Sequence, residues 1–385
     1  MGRELFAAGK DGTRIYVRYR EGPGGIGSLA SGVGAGSERL TAVLCDGIAC
    51  DGFIWKYLWD DLARTVNVAH WNYRGHGRSS LPVDPKAVEL RDHASDLAAV
   101  RAAIGDGPVV LFGHSMGCQV ILEHLRTHRE GVRGLVLICG SSGRITHHFK
   151  GTDVLAQLLP RLIEQVDAYP HIARAIWSRV PAPMALRIAL LAREVDASAV
   201  TPADLLPYMR HMVDIDFSMF LHMLRSAGEH STLDLLPQID LPALVIAGDR
   251  DTFTPPRLAE EMAAALPRGE LMMVSGGTHV VPLERKKMVI ERVEQFLIER
   301  VLGGAPVGKG ASVGPSQAPD SSGASVGPSQ APDSGELSQR PAEGGSAQPP
   351  AMDGSAQPPA MDGSAQPPAE EGPSPGDPRG LSNDR

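Results

Sequence analysis

Short apolar runs alternate with longer stretches of helical periodicity along residues 1–303. Residues 13–19 alternate polar and apolar side chains, which predicts a half-buried strand. Near-continuous apolar runs predict buried strands at 41–45, 66–71, 109–112, 134–139, 242–247 and 271–274. Helical periodicity marks residues 53–64, 90–104, 116–129, 257–266 and 284–301. This alternation predicts an α/β fold with a mostly parallel central sheet and helices on both faces.

The alternation stops between about residues 142 and 230. This stretch has no convincing strand, but it contains amphipathic helical patterns such as 154–166 and 185–195. A helical insertion between two strands predicts a cap over the sheet edge, and the alternative is a set of extra helices packed on one face without a lid role. Its composition favours a small-to-medium apolar substrate. Its aromatic residues are Tyr169, Trp177, Tyr208, Phe217 and Phe220.

Residues 304–385 have a different composition. They hold 15 of the 31 prolines and 14 of the 43 glycines, and they contain no aromatic residue. Short polar repeats begin at Gly310 and at Gly345, and repeats without an apolar face have nothing to bury by stacking. The sequence predicts one globular domain over 1–303 and a disordered tail over 304–385. A polyproline ligand for a partner is the alternative role of the tail.

Charge and cysteine usage exclude several classes. Most of the net charge of −8 comes from the tail, so the first 303 residues lack the basic surplus of a nucleic-acid-binding protein. No apolar run reaches the roughly 18 residues of a membrane span, and the N-terminus lacks the apolar region of an export signal. The four cysteines are too few for a disulfide framework and predict a cytoplasmic protein. The oligomeric state stays open.

The segment Gly113-His114-Ser115-Met116-Gly117 matches the pattern G-x-S-x-G. Residues 310–314 and 323–327 of the tail match it as well, so the pattern alone is weak. Only the first copy lies between a predicted strand and a predicted helix, where a sharp turn exposes a serine Oγ. Ser115 is therefore the candidate nucleophile, and an ordinary glycine-flanked turn is the alternative.

A serine nucleophile needs a base, and the base needs a partner that orients it. Strand 242–247 is followed by GDRDTFTP, which offers Asp249 and Asp251. Strand 271–274 is followed by a glycine-flanked loop that ends at His279. Because the carboxyl ends of parallel strands share one edge of a sheet, we expect these side chains near Ser115.

Residues 1–303 resemble α/β-hydrolase fold proteins of the esterase, enol-lactonase and cofactor-free haloperoxidase type. Four features carry the resemblance in chain order: DGI at 46–48, YRGHGRS at 73–79, the serine turn at 113–117, and the paired segments at 248–255 and 276–284. The order Ser, Asp, His along the chain is also that of the fold.

The resemblance implies roles for individual residues. Asp251, at the last position of G-x-x-D, would be the acid, with Asp249 as the alternative, and His279 would be the base. The backbone N–H groups of Ile48 and Met116 would form the oxyanion hole.

The sequence departs from the family at two positions. Asp46 stands where relatives commonly have histidine, and an aspartate near a developing oxyanion could oppose it unless its charge is held elsewhere. Cys118 stands where many relatives have a second glycine. We expect it to be a small packing residue, with a redox-sensitive thiol as the lesser alternative.

Other candidate residues favour structural roles. His114 and His76 are expected to pack or hydrogen-bond, and His147-His148 to lie at the surface, since no third metal ligand has a suitable spacing from them. The pattern Gly22-x-Gly24-x-x-Gly27 precedes more glycine-rich loop rather than a helix, so we expect no dinucleotide site.

The sequence thus predicts a serine hydrolase that cleaves a small-to-medium apolar carboxylic ester or lactone through an acyl-enzyme on Ser115. We expect no metal or organic cofactor, and neither nucleic acid nor a membrane as a partner. A serine nucleophile argues against haloalkane dehalogenase and epoxide hydrolase chemistry, which needs a carboxylate. Hydrolysis of a thioester or a carbon–carbon bond, and a ligand-binding receptor with little turnover, are the alternatives.

Overall fold

Eight strands form one sheet in the computed structural model, with the order β1-β2-β4-β3-β5-β6-β7-β8. The β1–β2 and β2–β4 pairs are antiparallel, and the other neighbouring pairs are parallel. The strands are β1 Gly2–Ala8, β2 Arg14–Arg20, β3 Thr41–Cys45, β4 Asn67–Trp71, β5 Val109–His114, β6 Val132–Ile138, β7 Ala243–Gly248 and β8 Gly269–Val274.

The structure describes residues 2–22, 39–105, 107–147, 151–179, 181, 183–184, 187 and 194–303. The predicted tail at 304–385, Gly24 and Gly27 of the dinucleotide pattern, and His148 lie outside the described residues. His147 ends a short 3₁₀ turn, Ile145–His147.

The helices of the described residues occupy the predicted windows and the insertion. None of them is long and apolar enough to cross a membrane. They are α1 Lys56–Leu62, α2 Leu90–Ile104, α3 Met116–His124, α4 Val154–Ala168, α5 Pro170–Trp177, α6 Pro202–Asp214, α7 Phe217–Glu229, α8 Pro256–Ala265, α9 Val281–Glu284 and α10 Lys286–Phe296.

The sheet is buried on both faces at its centre. Every residue of β3, β4 and β5 is buried, which is why these strands have near-continuous apolar sequences. Two large apolar clusters pack on the two faces. The predicted mostly parallel α/β sheet is therefore confirmed.

The described residues of the insertion include helices α4 to α7, and none of them belongs to a strand. Two of these helices, α6 and α7, contact residues in the segments that follow the parallel strands β3 and β4. In α6, Asp204 binds Lys56 Nζ at 2.7 Å, and His211 Nδ1 lies 4.0 Å from Asp51 Oδ2 in the loop after β3. In α7, Met219 packs so closely on Gly75 that a Cβ there would lie 2.4 Å from its sulfur. The helices thus contact the edge where the predicted site residues lie.

Candidate active site

Ser115 lies on a sharp turn between β5 and α3. Its backbone φ is 53° and its ψ is −119°, a conformation that a non-glycine residue rarely adopts. It precedes the first residue of α3 without a side-chain hydrogen bond to that helix, so its hydroxyl is not used as a helix cap. Its backbone N–H donates to the Ile138 carbonyl of β6 at 3.0 Å, which fixes the strained turn to the sheet.

The two glycines of the turn are sterically required. A Cβ on Gly117 would lie 2.2 Å from the Cys45 carbonyl oxygen, and one on Gly113 would lie 2.7 Å from the Cys118 nitrogen. Both neighbours are backbone atoms, so no side-chain rotation relieves the clash. The G-x-S-x-G spacing therefore brings α3 close against the end of β3.

Asp251 and His279 form a hydrogen-bonded pair at the same edge. The Nδ1 atom of His279 lies 2.8 Å from Asp251 Oδ2. His279 also reaches the serine turn, because its backbone carbonyl lies 2.9 Å from His114 Nε2, and its ring lies 5.0 Å from the His114 ring. The structure thus brings the predicted acid and base together beside the residue that precedes Ser115.

The carboxylate of Asp251 is buried and held on all sides. Oδ1 accepts the backbone N–H groups of Phe253 and Thr254, each at 2.9 Å, and Oδ2 accepts the Thr254 hydroxyl at 2.8 Å. Burial alone would raise the pKa of Asp251, but the nearby His279 charge and these hydrogen bonds outweigh it and hold the pKa below its ordinary value. The carboxylate is therefore ionised at neutral pH and can orient the imidazole.

Asp249, the alternative acid, has a different position. It lies at the surface, and its Oδ1 accepts the Gly276 backbone N–H at 2.7 Å. This bond braces the glycine-flanked loop that presents His279. The geometry favours Asp251 over Asp249 as the partner of the base.

Glu284 stabilises the loop that carries His279, the predicted base, and the sequence pattern did not predict a role for it. Its buried carboxylate accepts the Thr278 backbone N–H at 2.8 Å and the Thr278 hydroxyl at 2.7 Å. It also accepts the backbone N–H of Asp196, which lies before α6 within the insertion, at 2.8 Å. One acidic residue thus joins the residue before His279 to the insertion. The sequence offered one signal for this role: a glutamate five positions after the candidate base, directly after the apolar run VVPL.

The loop after β3 lies directly beside Ser115. A Cβ on Gly47 would lie 3.2 Å from the Ser115 Cβ, so the backbone of this loop passes close to the serine. Ile48 follows in this loop, and Met116 is the first residue of α3. Backbone N–H groups in the first turn of a helix have no acceptor within that helix. The two predicted oxyanion donors therefore lie close to Ser115.

The carboxylate of Asp46 is turned away from the predicted oxyanion hole. One oxygen accepts the Trp55 indole N–H and the other contacts His70 Nε2, both at 2.7 Å. The backbone carbonyl of Asp46 accepts the Tyr73 hydroxyl at 2.7 Å. The carboxylate that the sequence suggested could oppose an oxyanion is thus held elsewhere, by the buried Trp55 and His70 side chains.

The remaining candidates have the structural settings that the sequence predicts. His76 Nδ1 lies 3.0 Å from the Arg74 carbonyl, and burial lowers the pKa of both His76 and His114 to about 4. Cys118 is fully buried, and burial raises the pKa of its thiol to about 12. A thiol at that pKa carries almost no thiolate at neutral pH, which favours packing over redox sensing.

Cys139, Asp251 and His279 have ligand-type atoms that all lie within 4.8 Å of one another. The chemistry of the group fits an acid–base pair better than a metal centre. His279 Nδ1 is occupied by Asp251, and burial raises the pKa of the Cys139 thiol well above its ordinary value. A neutral thiol is a poor metal ligand.

The insertion carries an apolar groove of its own. It has a volume of about 360 Å³ and is lined by side chains of α4, α5 and the start of α7, including Tyr169, Ile172, Ile176, Trp177 and Phe217. The Trp177 and Phe217 rings stack at 4.3 Å. The lining includes none of the predicted catalytic or oxyanion residues.

Known proteins share this sequence pattern. The sequence profile of the alpha/beta hydrolase family matches residues 42–292. Polyketide synthase ThaQ of Burkholderia thailandensis is 26% identical over 267 residues, which make up 69% of this chain and 12% of the synthase. RutD of Agrobacterium fabrum, a protein with a proposed carbamate hydrolase activity, is 24% identical over 265 residues, or 68% of this chain and 94% of RutD.

A solved structure shares the fold. A thermophilic esterase from Thermogutta terrifontis superposes with a TM-score of 0.59 at 22% identity, over 77% of this chain and 98% of the esterase. The family profile extends from β3 to α10 and thus includes the serine turn, the Asp251 segment and the His279 loop. The chain belongs to the alpha/beta hydrolase family.

Proposed function

We propose that the protein is a serine hydrolase in which Ser115 is the nucleophile, His279 the general base and Asp251 the residue that orients the base. The observation that carries the proposal is the ionised, fully hydrogen-bonded Asp251 at 2.8 Å from His279 Nδ1, together with the contact of the His279 carbonyl with His114, the residue before Ser115 and its strained turn. An imidazole held at Nδ1 by a carboxylate presents Nε2 as the proton acceptor.

The reaction would proceed in two steps. His279 takes the Ser115 proton as the serine oxygen attacks a carbonyl carbon, and the N–H groups of Ile48 and Met116 stabilise the oxyanion. His279 then protonates the leaving group, and the acyl group stays on Ser115. A water molecule, deprotonated by His279, releases the acid and regenerates the serine. The chain's own residues supply each proton transfer.

The substrate class we propose is a small-to-medium apolar carboxylic ester or lactone. The likeness to an esterase and the apolar side chains of the insertion support it. A carbamate is a second candidate, because RutD is matched over 94% of its length and a carbamate carbonyl is attacked in the same way. We also propose a cytoplasmic location, since all four cysteines are buried free thiols, as a reducing compartment favours.

A fluorophosphonate probe tests the nucleophile without any choice of substrate. We expect mass spectrometry of the labelled full-length protein to place the phosphonyl group on Ser115. The tail serines Ser312 and Ser325, which have the same sequence pattern, are internal controls and should stay unmodified. Labelling should disappear in Ser115→Ala and fall by at least about a thousandfold in rate in His279→Ala.

A substrate panel then separates the bond types. Matched p-nitrophenyl ester, lactone, carbamate and thioester substrates are compared by kcat/KM, with Ser115→Ala as the blank. Turnover of esters or lactones above the others supports the proposal, and preference for the carbamate favours the second candidate. A folded protein that neither labels nor turns over any of them contradicts the enzyme and favours a ligand-binding protein.

A further inference from the structure

We propose that Asp46 is a positioning residue for the oxyanion hole: its carboxylate, bound by Trp55 and His70, fixes the loop that carries the Ile48 N–H. The inference rests on the function proposed above.

Asp46 begins the loop that passes beside the serine. It is fully buried, and Gly47 and Ile48 follow it directly. A buried carboxylate is costly unless both oxygens have donors, and both oxygens of Asp46 have a nitrogen partner at 2.7 Å. Loss of either partner leaves an unsatisfied buried oxygen, so the side chain has one favourable orientation.

The two residues that bind the Asp46 carboxylate come from different parts of the structure. Trp55 lies nine residues further along the chain, so its bond to Asp46 closes the loop upon itself. His70 belongs to β4, the strand next to β3, so its contact ties the loop to the sheet. The turn at Gly52, with φ 94°, runs over the His70 ring: a Cβ there would lie 2.8 Å from His70 Cε1.

The loop contains a conformation that needs such support. Ala49, directly after Ile48, has φ 57°, which a residue with a side chain adopts only when its surroundings require it. The peptide that joins Ile48 to Ala49 is therefore part of a strained turn. Without the Asp46 bonds, the loop could relax and turn the Ile48 N–H away from the serine.

The same network reaches the serine turn directly. The Trp55 ring packs edge-on against His114, with ring centroids 6.4 Å apart, and His114 precedes Ser115. The Asp46 carbonyl also faces α3, because a Cβ on Gly117 would lie 2.7 Å from it. Asp46 is therefore connected to the serine turn through Trp55, and its own backbone carbonyl lies close to Gly117 at the start of α3.

Asp46→Asn is the first test, since it keeps the shape and removes the charge and one acceptor. We expect kcat for the best ester to fall about 10- to 100-fold with KM changed less than about threefold, because oxyanion contacts form in the transition state. Inhibition by an aryl trifluoromethyl ketone, which forms a tetrahedral adduct on serine, should weaken by the same factor as kcat/KM.

Trp55→Phe keeps the carboxylate and its His70 contact, and it serves if the Asn variant does not fold. It should lower kcat about tenfold, and the double variant should lose less than the product of the two single effects, because both remove one interaction. Asp96→Asn is the matched control. Asp96 is equally buried and is paired with Arg74 at 2.7 and 2.8 Å, so we expect a lower thermal midpoint with unchanged kcat.

The outcomes separate the two proposals. Failure of the wild type to label at Ser115 contradicts the proposed function. Normal wild-type turnover with unchanged kcat in Asp46→Asn and Trp55→Phe overturns only the inference. Losses that follow the thermal midpoint, as in Asp96→Asn, or that fall on KM alone, would also overturn it, because they indicate a merely structural carboxylate.

Discussion

The sheet edge and the capping insertion hold their side chains in different ways. At the sheet edge, Asp46, Asp251 and Glu284 are buried carboxylates whose oxygens have short bonds to named donors. In the insertion, Ile172 and Ile176 leave 59% and 65% of their surfaces open to solvent. Among the described residues, its own buried cluster is small: Leu159, Ile163, Val166 and Leu221.

This difference separates two tasks. The proposed reaction requires groups placed to within a fraction of an ångström, and the hydrogen bonds at the sheet edge hold the candidate groups in fixed positions. The open apolar face of the insertion, which carries Ile172 and Ile176, can change its sequence without disturbing these groups. Substitutions at the edge should therefore reduce kcat, whereas those in the insertion should mainly change stability or KM.

Among the substitutions that test this comparison, Asp251→Asn should cause the largest loss of kcat. The amide cannot orient His279 as an anion does, so we expect kcat to fall about 10⁴-fold while the fold is kept. Steady-state kinetics on the best ester from the panel measure the loss. Asp249→Asn, two residues away, is the control and should retain activity within about threefold.

A pH titration of stability sharpens the assignment of Asp251. A lowered pKa in the folded state stabilises the protein above the unfolded pKa of about 3.9, and this stabilisation is lost as the pH falls through the folded value. The wild type and Asp251→Asn should therefore differ in the pH dependence of unfolding only below about pH 4. Equal activity of the wild type and the Asn variant would contradict the assignment.

Glu284→Gln should have the next largest effect. The amide retains one acceptor but places an NH₂ group against Thr278 or Asp196, which weakens the brace behind His279. We expect kcat to fall about tenfold, as for a group that acts through another residue. Glu261→Gln on α8, an exposed glutamate paired with Arg257, should leave kcat unchanged. Equal effects of the two changes would show that Glu284 has no role beyond its charge.

The sequence predicts well what depends on local pattern. β3, β4 and β5 are buried on both faces and appear as apolar runs, and the Ser115 turn lies between a strand and a helix, as the sequence predicts. β1 was missed because it is an edge strand whose side chains are mostly exposed, so Gly2–Ala8 has only the short apolar run LFAA at its end and no clear alternation.

What the sequence could not supply depends on contacts between distant segments. The partners of Asp46 are nine and 24 residues away, so no local pattern shows that its charge is held. Glu284 joins the loop that carries His279 to Asp196, which lies 88 residues earlier in the chain. The choice between Asp249 and Asp251 likewise required knowing which carboxylate reaches His279 and which braces Gly276.

We expect acid to lower the free energy of unfolding, because the folded protein keeps buried histidines neutral. His124 Nδ1 lies 3.1 Å from the Ala94 carbonyl and Nε2 lies 2.9 Å from Arg101 Nη1, so the ring is held neutral. Burial and the Arg101 charge lower its pKa to about 4. The unfolded chain, with a histidine pKa of about 6.5, binds the proton first, so stability is lost as the pH falls from 6.5 towards 4.

His124→Gln tests this account. Removal of one such histidine should reduce the slope of unfolding free energy against pH by up to about 1.4 kcal/mol per pH unit in that window, and urea titrations at several pH values measure it. An unchanged slope in His124→Gln would mean that the ring is protonated when folded.

The smallest effect is expected on the open face of the insertion. Ile163→Ala and Ile176→Ala remove the same atoms from side chains that are 6% and 65% exposed. The buried site should lose about 2–4 kcal/mol of unfolding free energy, and the exposed site less than about 0.5 kcal/mol. Urea denaturation of the full-length protein, at several protein concentrations, measures both losses.

A loss of more than about 1 kcal/mol at Ile176 would contradict the comparison, because a side chain that contributes so much to stability must be covered in solution. A dependence of that loss on protein concentration would identify a second copy of the chain as the cover, and the insertion would then be an interface rather than a loosely held cap.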